Sequence, residues 1–155
     1  MKLKLSEWAS IAEIVSGIAV VITLMFLIME IHESTNVTRA SMYASTLDSL
    51  VENRSQQFQY PELNRIVEEF VDGEAADFEA SERRLLIPFL QNIFQIYEKA
   101  YFTREYDLLG ESEWTRFERN ICLNYDRVQS AGLADDVAAV VTGEFWAYIE
   151  TACRG

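Results

Sequence analysis

Catalysis by side chains needs a nucleophile beside a base, a cluster of metal ligands, or a loop that cradles phosphate. The 155-residue chain offers little of each. Its one histidine, His32, lies far in sequence from both cysteines, Cys122 and Cys153. A nucleophile activated by histidine is therefore not expected. The cysteines are 31 residues apart with no histidine near either, which fits neither a zinc spacing nor a Cys-x-x-Cys redox pair. Both fall within apolar patterns. They are expected to be plain buried thiols; the alternative, a disulfide, is available only if the domain faces an oxidising compartment.

Glu30 and Glu33 flank His32 in the wrong register for the Glu-x-x-His pairs of a di-iron bundle. No glycine-rich phosphate loop, Walker pattern or His-Glu-x-x-His occurs. Carboxylates are plentiful, as at Glu68, Glu69 and Asp72 or Asp135 and Asp136. Such runs on helices are expected to be solvated faces or partners of helix N-termini. The aromatic set Phe94, Tyr97, Tyr101, Phe102 and Tyr106 could line a pocket, but core packing is the expectation. The chain is thus read as non-enzymatic, with no catalytic residue, no cofactor and no metal. An enzyme with an unrecognised carboxylate site is the least favoured alternative.

The elements that would carry any function are clearer. Between Trp8 and Met29 there are 22 residues with one charge, Glu13. As a helix this stretch rises ~33 Å, enough for the ~30 Å hydrocarbon core of a bilayer. The wholly uncharged part, Ile14 to Met29, reaches only ~24 Å, so the span takes in the Trp8 turn. Trp8 suits an interfacial anchor, and Glu30 and His32 mark the far edge. The run ends in "LIMEIHEST" with no small-residue cleavage site, so the segment is expected to be retained rather than removed as a signal peptide. Only Ser16 and Thr23 interrupt it, too few for the polar stripe of a soluble surface helix.

Within the span, Ala9, Ala12, Ser16, Ala19 and Thr23 repeat at spacings of 3 and 4. Small residues in that register let helices approach closely in lipid, where packing drives association. Ser10 and Gly17 are read as widening this face. The expectation is self-association or docking on another membrane protein. Glu13, about one turn inside the Trp8 boundary, is expected to snorkel; its functional alternative is a ring of carboxylates at the mouth of an oligomer. Lys2 and Lys4 precede the span, and Arg39 is the one basic residue in the fifteen after Met29. The positive-inside rule then favours a cytoplasmic N-terminus.

The rest of the chain has few turn-formers, with six Gly and two Pro overall, and reads as helical. Residues 31–60 are expected to form a connecting helix, with a possible hinge in the Ser/Thr/Asn cluster at 34–38. Tyr43, Leu47, Leu50, Val51 and Phe58 fall at helical spacing along it. A bundle of about four helices follows over 61–155. Its first helix opens on Pro61, presents Leu63, Ile66, Val67 and Phe70, and stops at Gly73. The second starts near Glu79 with Glu82 in capping-box position. It presents Leu86, Phe89, Leu90, Ile93, Ile96, Tyr97, Ala100 and Tyr101, with a kink or a late start at Pro88. The third is capped by Ser112 and carries Trp114, Phe117, Ile121, Tyr125 and Val128. The last is capped by Asp135 or Asp136 and turns Val137, Val140, Val141, Phe145, Tyr148 and Ile149 inward. The fold class is all-α: a transmembrane helix (1–30), a connecting helix (31–60) and a compact bundle (61–155).

Net charge is −12. After residue 30 the chain carries 11 Lys and Arg against 22 Asp and Glu. Nucleic-acid binding needs clustered cations and is not expected. The same charge would repel an anionic lipid surface, which fits tethering near a membrane rather than adsorption on it.

The Trp before an apolar span, the following "EIHESTNVTRA", and the later "YPELNRIV", "EASERR" and "LLGESEW" together resemble a large, loosely related set of bacterial single-span membrane proteins. In these an N-terminal Trp and transmembrane helix precede a helical domain. The usual Gln and Arg after the span are Glu30 and His32 here. The resemblance implies the fold and an address in the bacterial inner membrane, and implies no activity. A remoter comparison is with small anti-phage accessory proteins that pair one span with a helical domain and form pores. The Arg-x4-His motif of helical domains linked to such systems is absent, since Leu27 stands five residues before His32. The reading from sequence is a single-pass membrane protein that assembles through its span, as a homo-oligomeric pore or scaffold. The alternative is an accessory subunit of a larger membrane complex.

Overall fold

The structure, a computed structural model, describes residues 5–73 and 78–154, without the side chains of 5–7 and 9–11. Lys2, Lys4 and the side chains of Ala9 and Ser10 lie outside the described residues. Six helices and no strand occur among those described. The fold is all-α, as the scarcity of turn residues and the 3.6-residue periodicity require. The chain divides into two units, Met1–Arg39 and Ala40–Gly155.

The first helix, α1, spans Leu5–Gln59. Its part in the first unit is unbroken through 34–38, where a hinge was an alternative. The Thr35 and Thr38 hydroxyls there donate to the carbonyls of Ile31 and Ser34, four residues back. These polar side chains find their partners inside the helix, so they do not interrupt it.

In the second unit, residues 40–59 of α1 bury Thr46 and Asn53 and pack Tyr43 and Leu50 against the core. Positions 43, 46, 50 and 53 make one stripe at spacings of 3 and 4. Val51 and Phe58, apolar and at helical spacing, are each 68% exposed. Residues 40–59, the C-terminal part of the expected connecting helix 31–60, belong to the second unit.

Helix α2 (Pro61–Asp72) begins on Pro61, whose missing N–H costs nothing in a first turn. It ends at Gly73, held at φ 70° in the left-handed region that glycine enters without a Cβ clash. Leu63, Ile66, Val67 and Phe70 are buried as their spacing predicts. Helix α3 (Ala80–Glu105) opens with a capping box, the Glu79 and Glu82 side chains each accepting from the other's backbone N–H. It runs continuously past Pro88, so the late start is excluded. Helix α3 is the hub, packing on α2, α4 and α5. Phe94, absent from the expected face, is fully buried in it, whereas Ile93 is half-buried.

Helix α4 (Glu111–Ser130) has its N-cap at Gly110, not Ser112. The Ser112 hydroxyl bonds Glu113 instead. The buried stripe Trp114, Phe117, Ile121, Tyr125 and Val128 stands as expected. The single last helix expected from sequence is two: α5 (Ala134–Ala138) and α6 (Gly143–Ala152). The break falls at Thr142, which has one partner outside the segment and one within it. The Thr142 backbone N–H donates to Glu98 Oε1 of α3 at 2.6 Å, and the Thr142 hydroxyl caps α6 by accepting from Phe145 N–H. Asp135 and Asp136 sit in the first turn of α5 rather than capping a long helix. Cys122 of α4 and Cys153 at the end of α6 form a disulfide, with Cα atoms 5.0 Å apart. The expectation of two plain thiols is corrected: α4 and α6 pack together, which brings the pair into bonding reach.

Candidate functional site

The first candidate is the surface of α1 within the first unit. Every residue from Ala12 to Ser34 is exposed. Large apolar side chains along it keep most of their surface free, among them Ile14 at 62%, Phe26 at 68% and Met29 at 68%. This helix is long and apolar enough to cross a membrane, and no part of its apolar window is buried within the chain.

At ~100° per residue, Ala12, Ser16, Ala19 and Thr23 fall within an arc of about 60°. Ala9 follows the same register, though its side chain lies outside the described residues. The Thr23 hydroxyl donates to Ala19 C=O at 2.9 Å. That bond turns the Thr23 hydroxyl back into its own helix, leaving the Ser16 hydroxyl as the other polar group on a face of small side chains. Gly17 lies about 130° around from the middle of this arc. Positions 10 and 17 therefore do not widen the seam. Glu13 stands to one side of it, about 90° from its centre. Trp8, Glu30 and His32 are exposed on the same helix.

The second candidate is the helical unit. Its aromatic centre is packing rather than a pocket. The Tyr101 ring meets Phe102, Trp114, Phe145 and Tyr148 at centroid distances of 4.9–6.3 Å. Arg104 lies over the Trp114 ring, 5.1 Å from its centroid. Burial and the bond to Glu118 push the Tyr148 phenol up to about 12. The Trp114 indole N–H is buried and has no acceptor within hydrogen-bond geometry among the described residues. Tyr106, grouped with these residues by sequence, is 73% exposed.

Two clefts open beside this core. One, about 450 Å³, is lined by Asn53, Gln56, Tyr60, Glu62, Pro88 and Asn92 among others. The other, about 350 Å³, lies where residues 50–57 of α1 meet α2, α3 and α4. It has apolar walls, with Arg54, Tyr97, Asn120 and Asn124 at its polar side. Asn124 Nδ2 donates to the Tyr97 hydroxyl at 2.9 Å. Of the aromatic set that sequence offers as an alternative pocket lining, Tyr97 alone lines a cleft, and the clefts themselves are not legible in sequence. Their lining residues come from segments up to some 70 positions apart, and no local spacing marks them.

Between the clefts, Asn92 Nδ2 donates to Asn53 Oδ1 at 2.6 Å, so the carbonyl oxygen of the buried Asn53 has a partner. Among the described residues no group of three His, Cys, Asp or Glu is placed to hold a metal. The fold and these surfaces define a helical unit joined in sequence to one exposed apolar helix. No family model, curated protein or solved structure matches the chain.

Proposed function

We propose that the chain is a single-pass protein of the bacterial inner membrane that assembles through its span. The span is Trp8–Met29, and the contact face is the seam Ala9, Ala12, Ser16, Ala19 and Thr23. The observation that carries this reading is the unrelieved exposure of α1 from Ala12 to Ser34. Soluble monomers rarely leave a contiguous apolar patch above a few hundred Å², and a lipid environment removes the penalty. Within lipid the hydrophobic effect no longer distinguishes faces, so the small-residue seam becomes the surface where a second helix packs most closely.

The reading places the helical unit on the exported side. The Cys122–Cys153 bond supports this, because such bonds persist in oxidising compartments. So does the charge distribution about the span, with Lys2 and Lys4 before it and Arg39 after. The acidic helical unit then acts as an assembly module, with no catalytic role.

The test is the mass of the full chain in mild detergent, by light scattering with the detergent contribution subtracted. A discrete multimer is expected, falling to monomer mass when Ala12→Leu and Ala19→Leu are combined. A wild-type monomer overturns self-assembly and points the seam at the span of another membrane protein. A multimer unchanged by the two leucines removes the seam from the interface.

A further inference from the structure

The 350 Å³ cleft is unusual for so acidic a chain. Among its lining residues the only ionised side chain is Arg54, and no carboxylate lines it. The neighbouring 450 Å³ cleft, by contrast, includes Glu62. Among the described residues neither Arg54 nor Arg127 takes part in an ion pair, whereas Arg65, Arg83, Arg104 and Arg154 all do.

Arg54 and Arg127, two of the six arginines without an ion pair among the described residues, both bear on the Tyr97 phenol. Burial pushes the Tyr97 phenol up to about 12, while Asn124, Arg127 and Arg54 pull the other way. Tyr97, itself buried, lines the same cleft as the exposed Arg54. Tyr97 accepts the amide N–H of Asn124, which leaves its own O–H proton to donate. The Tyr97 hydroxyl and the Arg54 guanidinium thus line one cleft in which no carboxylate stands.

We propose that this cleft binds a compact amphiphilic carboxylate, its apolar body against Leu50, Val67, Phe70 and Ile93 and its charge on Arg54 and the Tyr97 hydroxyl. A carboxylate fits because one guanidinium can hold both its oxygens and balance one charge. A doubly charged phosphate would need more cations than line the cleft. The volume lies at the small end of the ~300–1,000 Å³ usual for ligand pockets, which suits an acid of one or two rings and excludes a long acyl chain. This site is independent of the span, so it stands whether or not the protein self-assembles.

The test is calorimetric titration of 2-naphthoate into the full chain in maltoside micelles, with empty micelles subtracted. The neutral 2-naphthamide is titrated in parallel. Saturable one-to-one binding of the acid is expected, at least tenfold weaker for the amide. Arg54→Gln should weaken the acid at least tenfold and leave the amide unchanged, while Arg54→Lys retains part of the difference. Val71→Trp, filling the rim of the cleft with Arg54 intact, should abolish binding of both. Arg116→Gln, a charge change on α4 outside the lining, should do nothing. The proposal is overturned if the acid gives no saturable heat beyond the micelle blank, if acid and amide bind alike, or if Arg54→Gln binds the acid as the wild type does.

Discussion

The disulfide is the feature whose removal has the most calculable consequence. Cys122 and Cys153 close a loop of sequence separation 31. In the chain-entropy treatment, releasing a loop of that length returns ~12 cal/mol/K to the unfolded chain, or about 3.5 kcal/mol at 25 °C. The helical unit, roughly 120 residues long, unfolds with an entropy of ~250 cal/mol/K near its midpoint, so the loss corresponds to a fall of ~15 °C. The perturbation is Cys122→Ser with Cys153→Ser, or reductant added to the wild type. The two should give the same midpoint within error. The assay is thermal unfolding of the full chain followed by near-ultraviolet circular dichroism, which the packed Tyr101, Trp114 and Tyr148 rings dominate. Mass spectrometry after alkylation under native conditions should find neither thiol free in protein taken from its own membrane. A shift under ~3 °C would refute the reasoning, because the staple would then be constraining nothing that unfolding releases. Free thiols in the native protein would remove both the staple and the argument for an exported helical unit.

Two other perturbations test the packing. Asn92→Ala leaves the Asn53 carbonyl oxygen, on a residue 3% exposed, without its donor, and should cost about 1–3 kcal/mol in urea unfolding. Replacing both with leucine should cost less than the single change, and the opposite order would count against the pair as the cause. Glu82 is held below the usual carboxylate range by Arg65 and by the Glu79 backbone N–H. A carboxylate with a depressed pKa contributes stability above its unfolded value, and that contribution is lost as pH falls through the folded one. The thermal midpoint of the wild type should therefore drop more steeply below about pH 4.3 than that of Glu82→Gln; parallel curves would show that this ion pair does not couple to folding.

Local signals were legible in the chain because their physics is local. The apolar run from Ile14 to Met29 declares its own length and exposure. Pro61 and Gly73 bound α2 through one missing N–H and one left-handed residue. Glu79 and Glu82 cap α3 across three positions, and the stripe of α4 follows the helix period. The class of fold followed from these elements.

What the tertiary structure decided depends on groups distant in sequence. At the division of the last helix Thr142 caps α6 locally, and Glu98, 44 residues away, takes the Thr142 N–H, a partner that no window over 134–152 contains. Residues 40–59 bury Thr46 and Asn53 while Val51 and Phe58 stay exposed. The inward face carries Tyr43 and Leu50 together with Asn53, whose carbonyl oxygen finds its donor in Asn92 on α3. The two cysteines meet only because α4 and α6 pack together. Arg54 and Tyr97, 43 positions apart, likewise become neighbours only when four helices close around one cleft. Periodicity gives each helix an apolar side; partners at long range decide how much of that side is used, and what remains uncovered.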